Sequence, residues 1–153
     1  MWYKINHGLL NSKNDNNKYA LFIGRFQPFH KGHIEMIEQK ISHNIPALVM
    51  IRDIAPCDKN PLTAQQSKYI IDLYYKSIGK EELVKTIIVD DIESVNYGRG
   101  VGYEVNEYIP PENICNISAT NIRDSIKNNN DIWKKDIPEE IHNAIYELLK
   151  YTI

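Results

Sequence analysis

Short apolar runs alternating with helix-spaced apolar positions organise this chain. Residues 19–23 form an apolar run ending at Gly24, and Ile34, Ile37 and Ile41 then recur at the spacing of one helix face. Residues 46–52, rich in Leu, Val and Ile, read as a strand buried on both faces, and 53–62 as a polar loop. A second helix is predicted from Thr63, which stands at capping-box spacing from Gln66; Ile70, Leu73 and Tyr74 share its apolar face and Gly79 ends it. A third strand at 84–89 and a loop at 90–101 follow. Alternation through Tyr103, Val105 and Glu107 predicts a fourth strand, and residues 114–117, after the break at Pro110 and Pro111, a fifth. Helices at 120–127 and 138–151 close the chain.

Strands alternating with helices imply mostly parallel pairing through right-handed crossovers. The predicted class is therefore α/β: a doubly wound, mostly parallel, five-stranded Rossmann-like sheet with helices on both faces. A chain of 153 residues suits one core, so residues 1–153 read as a single domain, with 1–18 as an N-terminal arm or extra strand followed by a polar turn at 11–18. In such sheets ligands sit at the carboxyl ends of the strands, which selects the segments after Ile23, Arg52, Val89 and Ile117.

Composition narrows the chemistry. Charged residues make up 25% and the net charge is -2, so a broad electrostatic footprint for nucleic acid is not expected and any anion site must be built locally. Cys57 and Cys115 are too far apart in sequence for a thiolate metal cluster or a CxxC redox pair. The first ten residues lack the apolar stretch of a signal peptide and no window approaches a membrane span, which leads to the expectation of a cytoplasmic protein without a membrane partner. Trp2, Trp133 and the ten tyrosines suit internal packing or a subunit interface equally, which leaves a homo-oligomer open.

Two of the four strand ends carry unusual chemistry. The first is Gly24-Arg25-Phe26-Gln27-Pro28-Phe29-His30-Lys31-Gly32-His33, two imidazoles and two cations beside a helix N-terminus, where free N–H groups and the dipole favour a phosphate. Gly24 and Gly32 leave room for close approach of a ligand. Taken alone, His30 and His33 could equally be an ordinary exposed pair or, less often, half of a metal site, for which no third ligand stands out. The second is Ile117-Ser118-Ala119-Thr120-Asn121-Ile122-Arg123. Helix capping alone would explain Ser118 or Thr120, but a cation at Arg123, near the positive end of the dipole, suits a bound polyphosphate.

The first stretch resembles the His-x-Gly-His signature of the nucleotidyltransferase superfamily, most like the archaeal-type nicotinamide mononucleotide (NMN) adenylyltransferases, and the second resembles the Ile-Ser-x-Thr-x-x-Arg signature of the same superfamily. Asn60-Pro61-Leu62-Thr63 and Asp91-Ile92 are similar to further segments of the archaeal-type enzymes. The resemblance implies in-line transfer of AMP from ATP to NMN, giving NAD and pyrophosphate. It assigns His30, His33 and Arg25 to catalysis, and Gly24, Phe26, Lys31, Gly32, Ser118, Thr120 and Arg123 to the nucleotide. Mg2+ would be held mainly through the nucleotide's phosphates, with no metal ligand from the protein. For NMN the resemblance points to Asp91, Ile92, Asn96 and Tyr97, with Arg99 equally suited to another substrate's phosphate. The chain departs from the family after Asp91-Ile92: it has neither the family's Trp nor the additional strand and helix with a Thr-Gly-Asn-like strand end. The alternatives are an ATP- or CTP-dependent transferase acting on another phosphorylated small molecule, such as a phosphoalcohol or phosphosugar, and a non-catalytic nucleotide sensor.

Overall fold

The computed structural model describes residues 2–9, 18–100 and 102–152. Three strands, β2 (Ala20–Gly24), β3 (Ala47–Asp53) and β4 (Val84–Asp90), form a parallel sheet in the order β2-β3-β4. The register pairs Gly24 with Ile51 and Val89 with Arg52, so the carboxyl ends of all three strands finish at one edge. Two crossover helices join them: α1 (Lys31–Ile41) and α2 (Ala64–Ser77). Thr63 and Gln66 form the expected capping box at the start of α2, with reciprocal bonds of 2.9 and 3.1 Å.

The core consists of Val49 and Ile51 from β3, Phe22 from β2, and Ile37, Ile41, Ile70, Ile71 and Tyr75 from the crossover helices. Phe29, Ile122, Ile141, Ile145 and Leu149 also belong to it, the last two from α5 (His142–Leu149), as do Phe26, Leu62 and Trp133. A 3-10 turn at Glu139–Ile141 begins the C-terminal helical region expected from 138. No helix among the described residues is long and apolar enough to cross a membrane.

Two expectations are corrected. The five strands do not form one sheet: β1 (Tyr3–Leu9) and β5 (Glu104–Ile109) pair antiparallel as a separate two-stranded ribbon, with a register shift between Asn6 and Gly8. An alternating pattern identifies a strand but does not choose its partner, and here the N-terminal segment takes the predicted fourth strand. Residues 114–117 are not a strand. Pro111, extended at φ -64°, caps a helical turn, α3 (Glu112–Cys115), in which the Ile114 and Cys115 amides both donate to the Pro111 carbonyl. Proline with Glu112 in the first turn is a helix start signal, and it overrides two isoleucines separated by Cys and Asn. The polar turn expected at 11–18 lies, Lys18 apart, outside the described residues.

With the sheet reduced to three parallel strands, β2 is a border strand. Ala20 donates to Pro46 on the β3 side, and by alternation Leu21 and Ile23 turn their backbone groups outward, where they meet no partner among the described residues.

Candidate active site

The loop from β2 to α1 is clamped from several sides. Phe26 has a left-handed backbone, φ 53°, and its ring folds back over Gly24, where an added Cβ would lie 2.9 Å from the ring. Gly24 is thus required by the neighbouring phenyl ring. The buried Ser67 hydroxyl on α2 donates to the Phe26 carbonyl at 3.0 Å. Gln27 makes a reciprocal pair with the backbone of Leu62: its Nε2 donates to the Leu62 carbonyl and its Oε1 accepts from the Leu62 amide, both at 2.9 Å. The Gln27-Pro28 peptide is cis.

These clamps present the two histidines as a stacked pair, ring centroids 3.8 Å apart and 21° from parallel. Phe29 stacks near-parallel to His33 at 5.7 Å, and Phe26 meets it edge-on at 4.9 Å. The pair also caps α1. His30 Nδ1 accepts from the Gly32 amide at 3.0 Å, and His33 Nδ1 accepts from the His30 amide at 3.2 Å, a capping box built from imidazoles. A Cβ on Gly32 would come within 2.8 Å of the His30 ring, so this glycine too is required by its neighbour. With both Nδ1 atoms accepting, the neutral rings carry their protons on Nε2. Burial pulls His30 down to about 4, and burial together with the charge of His30 holds His33 well below the usual histidine range. At neutral pH the pair is therefore two uncharged N–H donors of fixed tautomer.

Positive charge comes from elsewhere. Ser118 caps α4 (Ala119–Lys127), accepting from the Asn121 amide at 3.3 Å. Arg123, one turn in, is buried and donates through Nη1 to the Gln27 carbonyl at 2.8 Å and through Nη2 to Thr120 Oγ1 at 3.3 Å. The two signature segments, 96 positions apart at this contact, thus meet. Burial lowers the Arg123 pKa from its ordinary value, with the charge of Arg25 adding to the effect, though a guanidinium stays protonated throughout the working range. Arg25 is exposed and makes no hydrogen bond or ion pair among the described residues. At the ends of β3 and β4, Arg52 donates to Asp91 Oδ1 through Nε at 2.8 Å, and its Nη2 pairs with the same oxygen as an ion pair at 2.6 Å. Arg52 and the Ile92 amide, with Arg25 contributing, hold the Asp91 carboxyl below the usual carboxylate range.

The remaining sequence-predicted residues are placed differently. Lys31 turns toward the C-terminal region, its Nζ donating to the Lys135 carbonyl at 2.7 Å. Asn96 donates to Ser94, and Asn96, Tyr97 and Arg99 all lie in an exposed loop, while Ile92 is half-buried beside Asp91. No group of three or more His, Cys, Asp and Glu among the described residues could hold a metal ion. Hollows of about 330 and 350 Å3 flank Trp133, and the histidine pair lines neither. Three residues of the site were not singled out by sequence reasoning: Gln27, Ser67 and Arg52. For Arg52 the signal was available, since it stands at one of the strand ends selected for ligand binding.

The cytidylyltransferase-like family matches residues 21–66, which run from β2 into α2. A nicotinamide-nucleotide adenylyltransferase of Methanococcus aeolicus is 32% identical, the match covering 84% of this chain and 88% of that protein. Its 162 aligned positions outnumber the chain's 153 residues, so that protein carries a stretch this chain lacks. The corresponding protein of Thermoplasma acidophilum is 36% identical over 52% of this chain, and the match spans only 43% of its length. Among solved structures, a bifunctional NMN adenylyltransferase/ADP ribose pyrophosphatase of Francisella tularensis, complexed with AMP and a manganese ion, is 32% identical over 46% of this chain and 22% of its own, with a TM-score of 0.42.

Proposed function

Because the chain belongs to the nicotinamide-nucleotide adenylyltransferase family, we propose that it transfers the adenylyl group of ATP to NMN, producing NAD and pyrophosphate in the cytoplasm, with both signature segments in one nucleotidyltransferase domain. The observation that supports this most directly is the 2.8 Å bond from Arg123 to the Gln27 carbonyl, which joins the loop of the imidazole pair to the α4 segment.

In-line transfer between phosphates needs alignment and stabilisation of developing charge, and no covalent nucleophile. His30 and His33 would donate their Nε2–H groups to the α-phosphate, and fixed donors of this kind are worth most in the transition state. Arg123, with Arg25 at the rim, would oppose the charge of the β- and γ-phosphates and of departing pyrophosphate. Ser118 and Thr120 would act there chiefly through the start of α4, Ser118 as its cap and Thr120 as a partner of Arg123. Magnesium would enter on ATP, carried by phosphate oxygens as part of the substrate.

Pyrophosphate release tests the reading. NMN with ATP is expected to support turnover, and His33→Ala to lower kcat by ~10²- to 10³-fold while the far-UV circular dichroism is retained. A variant within about twofold of the parent would remove His33 from the chemistry. A second reading, transfer from ATP or CTP to another phosphorylated small molecule, is favoured by the exposed position of Asn96 and Tyr97 and by the stretch present in the M. aeolicus protein and lacking here. Release with CTP, or with phosphoalcohols or phosphosugars in place of NMN, would select it, and absence of release with every acceptor and either nucleotide would leave a nucleotide sensor.

A further inference from the structure

The end of β3 carries a guanidinium that the adenylyl-transfer reading leaves without a task. Arg52 stands one residue past Ile51, the register partner of Gly24, and so lies level with Arg25 on the neighbouring strand. Its Nε donates to Oδ1 of Asp91, its Nη2 lies 2.6 Å from the same oxygen as an ion pair, and Nη1 meets no partner among the described residues. The side chain is only 29% exposed, so it is held against the strand ends. Arg25 makes no hydrogen bond or ion pair among the described residues, and its charge reaches Asp91. Asp53 and Asp90, paired in the β3–β4 register, fall by strand alternation on the opposite face from Arg52.

We propose that Arg52, through its Nη1, binds the phosphate of the acceptor, and that Asp91 is the positioning residue that holds its guanidinium across the strand ends. This rests on the adenylyl-transfer reading. In that step an oxygen of the acceptor's phosphate forms a bond to the α-phosphorus, and the bond from that phosphorus to the bridging oxygen breaks. Pyrophosphate leaves with the electron pair. The attacking group is thus an anion that must approach a second anion, and Arg123 is already committed to the nucleotide's side of the cleft. A planar guanidinium presenting one free edge is suited to a phosphate held in a fixed orientation.

The test compares KM for NMN and for ATP in the parent, Arg52→Ala, Arg52→Lys and Asp91→Asn. Arg52→Ala is expected to raise KM for NMN ~10- to 100-fold, the worth of a charged hydrogen bond, with KM for ATP within about twofold. Arg52→Lys should restore part of the loss, and Asp91→Asn should show a smaller change in the same parameter. An unchanged KM for NMN, or an equal rise for ATP, would overturn the assignment. Calorimetric titration of parent and Arg52→Ala with NMN alone decides the point without turnover: weaker binding by the variant supports it and equal binding overturns it. If the parent releases no pyrophosphate from NMN and ATP, the adenylyl-transfer reading fails, and the titration still judges Arg52. Should Arg52→Ala not fold, Arg52→Gln carries the same comparison.

Discussion

A histidine at a helix N-cap uses up the ring nitrogen that a catalytic imidazole would otherwise keep free. Here the loss has a benefit: with each Nδ1 bound to a backbone amide, both rings are confined to the tautomer that donates from Nε2. The same burial makes the pair sensitive to acid. His30 is pulled down to about 4 and His33 moves in the same direction, so between the ordinary histidine value and these lowered ones the unfolded chain binds protons that the folded chain does not. Stability is therefore complete above about pH 6.5 and declines as pH falls toward 4. Thermal melts across that window should show Tm falling in the parent and a flatter profile in His30→Asn, which keeps an N-cap acceptor without a titrating ring. A parent Tm independent of pH in that window would contradict the burial argument. The sequence spelled out both histidines, but not the consumption of their Nδ1 atoms, because that depends on the ring rotamers set by Phe26 and Phe29.

The elements show the same division between local and non-local information. Two helix starts were legible because capping is local: Thr63 with Gln66 formed the expected box, and Ser118 caps α4. Strand partners were not, because pairing is decided by segments far away, and β5 joined β1 instead of extending the parallel sheet. The Gln27 clamp belongs to this hidden class. Its amide replaces backbone partners for Leu62, 35 positions further along. In Gln27→Ala the buried N–H and C=O of Leu62 lose their partners, which should cost ~1–3 kcal/mol in a urea unfolding series. The histidine loop would also lose its brace, so kcat should fall alongside stability; a fall in stability with kcat intact would show that the loop holds its shape without the clamp.

Across the whole molecule, the site depends on the C-terminal region reaching back to the first crossover. Arg123 makes that connection, so Arg123→Ala should weaken binding of a non-hydrolysable ATP analogue ~10-fold or more by calorimetry, and unchanged affinity would detach α4 from the nucleotide. The sequence indicated that the two signature segments belong together, while the three-strand sheet was not legible, since nothing local says where pairing stops. That sheet leaves the strand leading into the histidine loop as a border strand, with no partner among the described residues for the outward groups of Leu21 and Ile23. Every second amide along it can therefore trade hydrogen with water, and β2 can fray from its outer side while β3 and β4 stay zipped. The tether of the histidine loop is in this sense fastened along one seam only, and local breathing at Leu21 and Ile23 can reach the histidines without melting the core.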